Sequence, residues 1–113
     1  MAKYHYLLTY SVKPAYQIAS DIEKADKVRS KIADISDNEW EKSKEVETTF
    51  SGSFDVYGAM TETAKKNESI KFVKDKFVPI LKLYSASKSD VKIPCVMMVS
   101  EINESFSFTV END

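Results

Sequence analysis

Cysteine and histidine each occur once in this chain, and glycine occurs twice. A lone thiol, Cys95, cannot form an intramolecular disulfide. One thiol and one imidazole, His5, cannot make up a structural zinc site. Two glycines, Gly52 and Gly58, are too few for a loop that cradles phosphate, so the mononucleotide- and dinucleotide-binding motifs are excluded. No apolar run approaches the roughly 18 residues that cross a bilayer, and no membrane partner is expected. The opening MAKYHYLL lacks the charged, apolar, then small layout of a signal peptide, so a reduced, cytoplasmic setting is expected. An excess of one charge is missing too. Net charge is -2, with acids and bases interspersed, whereas neutralising phosphates as a main activity needs a concentrated basic surface. No metal and no cofactor is expected.

What is present is an ordinary globular composition, 42% hydrophobic and 30% charged. At 113 residues the chain is expected to form a single domain over 1–113 and to bury about two-thirds of its extended surface.

Residues 3–12, KYHYLLTYSV, read as a strand in which neither face is plainly wet. Tyr4, Tyr6, Leu8 and Tyr10 alternate with His5, Leu7, Thr9 and Ser11, and Pro14 ends the run. From Ser20 to Ile35 the apolar positions Ile18, Ile22, Ala25, Val28, Ile32 and Ile35 step by three or four, which makes one helical stripe. Ser20 is its expected cap, with Asp21 and Glu23 complementing the dipole. SDNEW (36–40) reads as a turn or short helical piece. KEVETTFSGSFDV (44–56) alternates as a long strand with one buried face, and Gly52 suggests a bulge or a close backbone approach. YGAMTETAKKNES is a connection, with a helical turn from about Thr61. A second helix is expected over about 68–85, its stripe being Ile70, Val73, Phe77, Ile80 or Leu81, and Tyr84. Pro79 predicts a kink or break near Val78. VKIPCVMMVSEI is apolar on both faces and should be central, with Pro94 near its start or at an irregularity and Met97 and Met98 filling core on opposite faces. Asn103 to Ser105 turn the chain into FSFTV, with Phe106, Phe108 and Val110 inward, and the tail END is expected to fray. The order β-α-β-α-β-β places two helices on one face of the sheet. With right-handed crossovers it predicts an α+β ferredoxin-like sandwich, the apolar late strand beside the first.

Three stretches carry a resemblance. YLLTYSV (6–12) resembles the opening strand of a superfamily of small ferredoxin-like proteins that includes the VapD-like toxins and the small subunit of the CRISPR spacer-integration complex. VETTFSGSF (46–54) resembles its second strand, and VKIPCVMMVSEI its late apolar strand. The resemblance implies the fold and a tendency to form symmetric dimers. In nuclease members an Asp ends the first strand as a metal ligand. Ser11 stands there in this chain, and a hydroxyl is a poor ligand for a hard divalent cation, so the two-carboxylate metal mechanism loses its anchor. Were RNA cleavage to survive, His5, Tyr10 and Ser11 are the trio left for it. Ser11 and His5 cannot pair along one strand, since six residues of extended chain span about 20 Å. Cys95 sits in an apolar context that makes a thiol inert.

The first strand's aromatic stripe, Tyr4, Tyr6 and Tyr10, is expected on the sheet face that the helices leave uncovered. There it would meet a protein partner or a second copy, with a plain tyrosine rim or base stacking as alternatives. Lys65, Lys66, Lys71, Lys74 and Lys76 form an interrupted basic run, a salt-laced solvent face whose functional alternative is phosphate contact. These features point to a small non-enzymatic interaction protein, homodimeric or docking through its sheet. Small acidic chains of this fold often act as inhibitors, immunity factors or accessory subunits in microbial or phage conflict systems, which is an analogy from fold. A VapD-like RNA-binding or RNA-cleaving protein is the alternative.

Overall fold

A computed structural model describes residues 2–35, 40–42, 49–56, 61–100, 102 and 104–112. The elements are β1 (Ala2–Tyr10), β2 (Lys13–Pro14), α1 (Ala19–Ala33), β3 (Glu41–Lys42), β4 (Thr49–Val56), α2 (Glu62–Leu83), β5 (Val91–Val99) and β6 (Phe106–Val110). The expectations for residues 36–39, 44–48, 57–60, 101, 103 and 113 lie outside the described residues.

β1 pairs antiparallel with β4 on one side and β5 on the other; β3 flanks β4, and β6 flanks β5. β2 meets Lys92 and Val91 in the register that β1 holds further along β5, so it continues the line of β1. The break between them falls opposite Pro94. Ser11 N–H donates to Pro94 C=O at 3.0 Å, but a proline has no N–H to return. The order β5-β1-β4-β3, joined by two crossover helices, is the ferredoxin-like α+β sandwich, with β6 added beside β5. The late apolar strand lies beside the first, as its composition requires.

α1 buries Asp21, Ala25, Val28 and Ile32. Ile18 and Ile22, expected in that stripe, are exposed. The helix begins two residues earlier than its Ser20 signal implied: Ile18 is the N-cap, with no side-chain capping bond. Asp21 instead turns back to accept from Tyr16 N–H at 3.3 Å, clamping the link from β2. α2 starts at Glu62, earlier than the apolar stripe suggests, because Thr61 caps it by accepting from Ala64 N–H at 3.1 Å. It runs without interruption through Pro79, so the break expected near Val78 does not occur. Its buried side is Ser69, Val73, Phe77, Ile80 and Leu81.

α2 ends in a Schellman turn. Ala86 N–H donates to Leu81 C=O at 2.8 Å and Ser85 N–H to Lys82 C=O at 3.1 Å, with Ser85 left-handed at φ 52°. Lys24 on α1 secures the loop that follows, donating to Ser85 C=O and to Asp90 Oδ2 at 3.1 and 3.0 Å. The Lys24 bond, aided by Ser87 N–H, holds the Asp90 carboxyl below its ordinary range. The tail is tied at Asn112, whose C=O accepts from Lys88 N–H at 2.7 Å.

Candidate functional site: the uncovered sheet face

Alternation along β1 separates two sets of side chains, and the helices decide which set is inside. Tyr4, Tyr6, Leu8 and Tyr10 face the helices and are buried. This corrects the expectation that the three tyrosines form the uncovered partner face. They join Trp40, Phe50, Phe54, Phe72 and Phe77 in one aromatic core: Tyr10 stacks on Phe50 at 5.5 Å, Tyr6 meets Phe72 edge-on at 5.3 Å, and Trp40 lies 4.4 Å from Phe50. Such pairs add to what burial alone supplies. The β1–β4 register passes Gly52 without a bulge; Gly52 stands opposite Tyr6, where it has no side chain to compete with that ring. Trp40, expected in a turn, is buried, and its Nε1 finds no acceptor among the described residues.

The other face is the one without helices. It carries Lys3, His5, Leu7, Thr9, Ser11 and Lys13 from β1 and β2, and Lys92, Pro94, Val96 and Met98 from β5. β4 adds Thr49, Ser51, Ser53 and Asp55, and β6 adds Ser107 and Thr109. At its centre Leu7 sits opposite Met98, and Val96 lies one pair along, opposite Thr9. The three are 47%, 56% and 44% exposed. Met98, expected in the core, is therefore on the surface, while Met97 is fully buried. Toward the β2 end, Thr9, Ser11, Lys13, Ser107 and Thr109 line an open hollow of about 600 Å³ floored by Pro94 and Val96.

His5, Tyr10 and Ser11 do not converge. Tyr10 points into the helix-covered side, where burial pushes its phenol up to about 12, too high for acid–base work near neutrality. His5 is exposed at the far end of β1, and its backbone N–H donates to Ser100 Oγ at 3.0 Å. Cys95 is buried, its thiol pushed up to about 12 by burial.

The lysines expected to contact phosphate spread over α2 without forming one stripe, since an α-helix turns about 100° per residue. Lys65 lies 5.8 Å from the Tyr4 ring centre, and Lys66 pairs with Glu104 at 3.6 Å. Lys71 and Lys74 are exposed, and Lys76 lies 5.7 Å from the Phe72 ring centre. No cluster of three or more His, Cys, Asp or Glu that could hold a metal ion occurs among the described residues. No described helix is long and apolar enough to cross a membrane.

Sequence reasoning missed Leu7, Val96 and Met98 as a surface group. Alternation sets Leu7 apart from the tyrosines and Val96 and Met98 apart from Cys95 and Met97, but only the β1–β5 register brings the three together. Searches against protein-family models, curated proteins and solved structures return no match to this chain.

Proposed function

We propose that this chain is a small non-enzymatic interaction protein, of the inhibitor, immunity or accessory-subunit kind, that docks a protein partner on its uncovered sheet face. The observation that carries this reading is the Leu7–Val96–Met98 island on the adjacent strands β1 and β5. It is surrounded by hydroxyls and by the charged residues Lys3, Lys13, Lys92 and Asp55. An apolar centre inside a polar rim is the anatomy of a protein interface, and flexible Met is well suited to packing against a partner. A microbial or phage conflict system is the setting that the fold analogy suggests for such a partner.

Leu7→Lys and Met98→Lys test it. Both positions are more than two-fifths exposed, so the charge is tolerated by the fold but not by a dry contact. Each should weaken a candidate partner, measured by light scattering of the mixed species and by titration, at least tenfold, about 1.4 kcal/mol. Partner binding that survives both variants unchanged would sink the reading.

A second reading rests on a different observation, the hollow with its four hydroxyls and Lys13. Hydroxyls and a lysine can hold the sugar-phosphate backbone of single-stranded RNA. Labelled RNA should then bind with an affinity that falls as salt rises, and Lys13→Glu should reduce it. Salt-independent or absent binding removes this reading and leaves the first intact.

A further inference from the structure

The two edges of the sheet are built differently. On one side the described residues of β3 are an acid and a base, Glu41–Lys42. Charged edges are one way sheets avoid pairing with other chains. β6, on the other side, is five residues, Phe-Ser-Phe-Thr-Val. It has no charge, no proline and no bulge in its register with β5, and among the described residues it pairs with β5 alone.

The direction of its backbone groups follows from one bond. Ser11 N–H reaches Pro94 C=O, so the even residues of β5 turn their backbone toward β1 and the odd ones toward β6. Cys95 is opposite Phe108 and Ile93 opposite Val110, so Phe106, Phe108 and Val110 are bonded inward. Ser107 and Thr109 therefore hold their N–H and C=O outward from the sheet.

We propose that β6 pairs antiparallel with β6 of a second copy of this chain, joining the two sheets into one about a two-fold axis at Phe108. Ser107 would exchange both backbone bonds with the second copy's Thr109, and the reverse. Outward groups must meet outward groups, and this parity keeps the helix-covered sides of the two copies on the same side of the joint sheet. Phe108 then faces its own counterpart across the narrow kind of pair, where side chains are closest. Phe106 and Phe108 already stack at 6.0 Å and are only partly buried against the core, so the pairing finishes their burial. This register sets Glu111 against the second copy's Ser105 and opposes no like charges. The contact is isologous and closes at two. It also places the two Leu7–Val96–Met98 islands on one continuous face. The pairing goes beyond the docking reading and does not depend on it.

The test uses the whole chain. Sedimentation across a concentration series should show a monomer–dimer equilibrium that Thr109→Pro abolishes. The proline removes an outward N–H that the monomer does not use, a position where edge strands tolerate it. Met98→Lys should dimerise as the wild type does. In the wild type, amide exchange at Ser107 and Thr109 should slow as concentration rises, while Phe106, Phe108 and Val110 stay protected throughout. This second readout decides the matter if the proline variant unfolds. A chain that stays monomeric at millimolar concentration, or fast exchange at Ser107 and Thr109 in the dimer, overturns the edge pairing. So does a dimer lost with Met98→Lys but kept with Thr109→Pro, which would assign self-association to the sheet face instead.

Discussion

The two faces of this sheet are made from alternate residues of the same strands and share nothing else. Along β1 the covered face reads Tyr4, Tyr6, Leu8, Tyr10, and the uncovered one Lys3, His5, Leu7, Thr9. Along β5 it is Val91, Ile93, Cys95, Met97 and Val99 against Lys92, Pro94, Val96 and Met98. The covered side is a continuous aromatic and aliphatic layer fitted to α1 and α2. The uncovered side is a small aliphatic island among hydroxyls. The difference teaches that an aromatic stripe on a strand is no mark of a binding surface when the helices bring aromatics of their own. Phe72 and Phe77 of α2, with Trp40, give Tyr6 and Tyr10 edge-on and tilted partners that water cannot replace.

The sharpest way to break this contrast is to truncate one large side chain on each face. Phe50→Ala, which empties the fully buried centre of the aromatic layer, should cost about 3–5 kcal/mol in urea unfolding. Met98→Ala should cost a small fraction of that; comparable losses would mean that the two faces are equally packed. A finer version uses two neighbours on β4. Gly52→Ala introduces a methyl opposite the Tyr6 ring and should cost about 1–3 kcal/mol by crowding. Ser53→Ala, on the uncovered face, should stay within about 0.5 kcal/mol.

Alkaline titration separates the faces by a different property. Burial raises Cys95 from 9.0 and Tyr10 from 10.0, each to about 12. Below pH 9 both groups are neutral whether the chain is folded or not, and their packing contributes in full. Above that the unfolded chain releases these protons first, so stability falls with rising pH, from 9 for Cys95 and from 10 for Tyr10, until the folded values are passed. Tyr10→Phe should remove the part that begins at pH 10, and Cys95→Ala the part that begins at pH 9. A stability curve that is flat between pH 9 and 12 would contradict the burial of both groups. The smallest effect is expected from Val96→Thr on the uncovered island, within about 0.5 kcal/mol. A larger loss would show that this surface is packed against something.

Much of the architecture was legible. Period-two runs marked β1, β4, β5 and β6, and steps of three and four marked the inner sides of both helices. Val73 and Phe77, Val28 and Ile32 all face inward because those intervals return a side chain to the same side of a helix. VKIPCVMMV does lie inside the sheet, between β1 and β6, although only one of its two apolar phases is buried. Other features had weak local signals. β3 is described at Glu41–Lys42 only, and the α2 start rests on Thr61, a single capping hydroxyl followed by a polar turn. Ile22 and Asp21 exchanged roles because the helix stripe is wide enough to rotate by one residue, and the Tyr16 amide holds Asp21 inward.

The sequence by itself determined the order of the long elements β1, α1, β4, α2, β5 and β6, and with it a sheet covered by helices on one side only, because alternation and helical spacing are local properties of the chain; it did not show β2 or β3. It also determined that β1 has two distinct faces. Which face would be sheltered was decided only in the tertiary structure. Each of the two sets in β1 contains apolar residues, and the choice depends on whether the rings of Trp40, Phe72 and Phe77, distant in sequence, interlock with tyrosine rings or with the smaller Leu7, Thr9 and Ser11. The larger rings bury more apolar area and fill more of the space beneath two helices, so the tyrosines went inside and left Leu7, Val96 and Met98 to the surface.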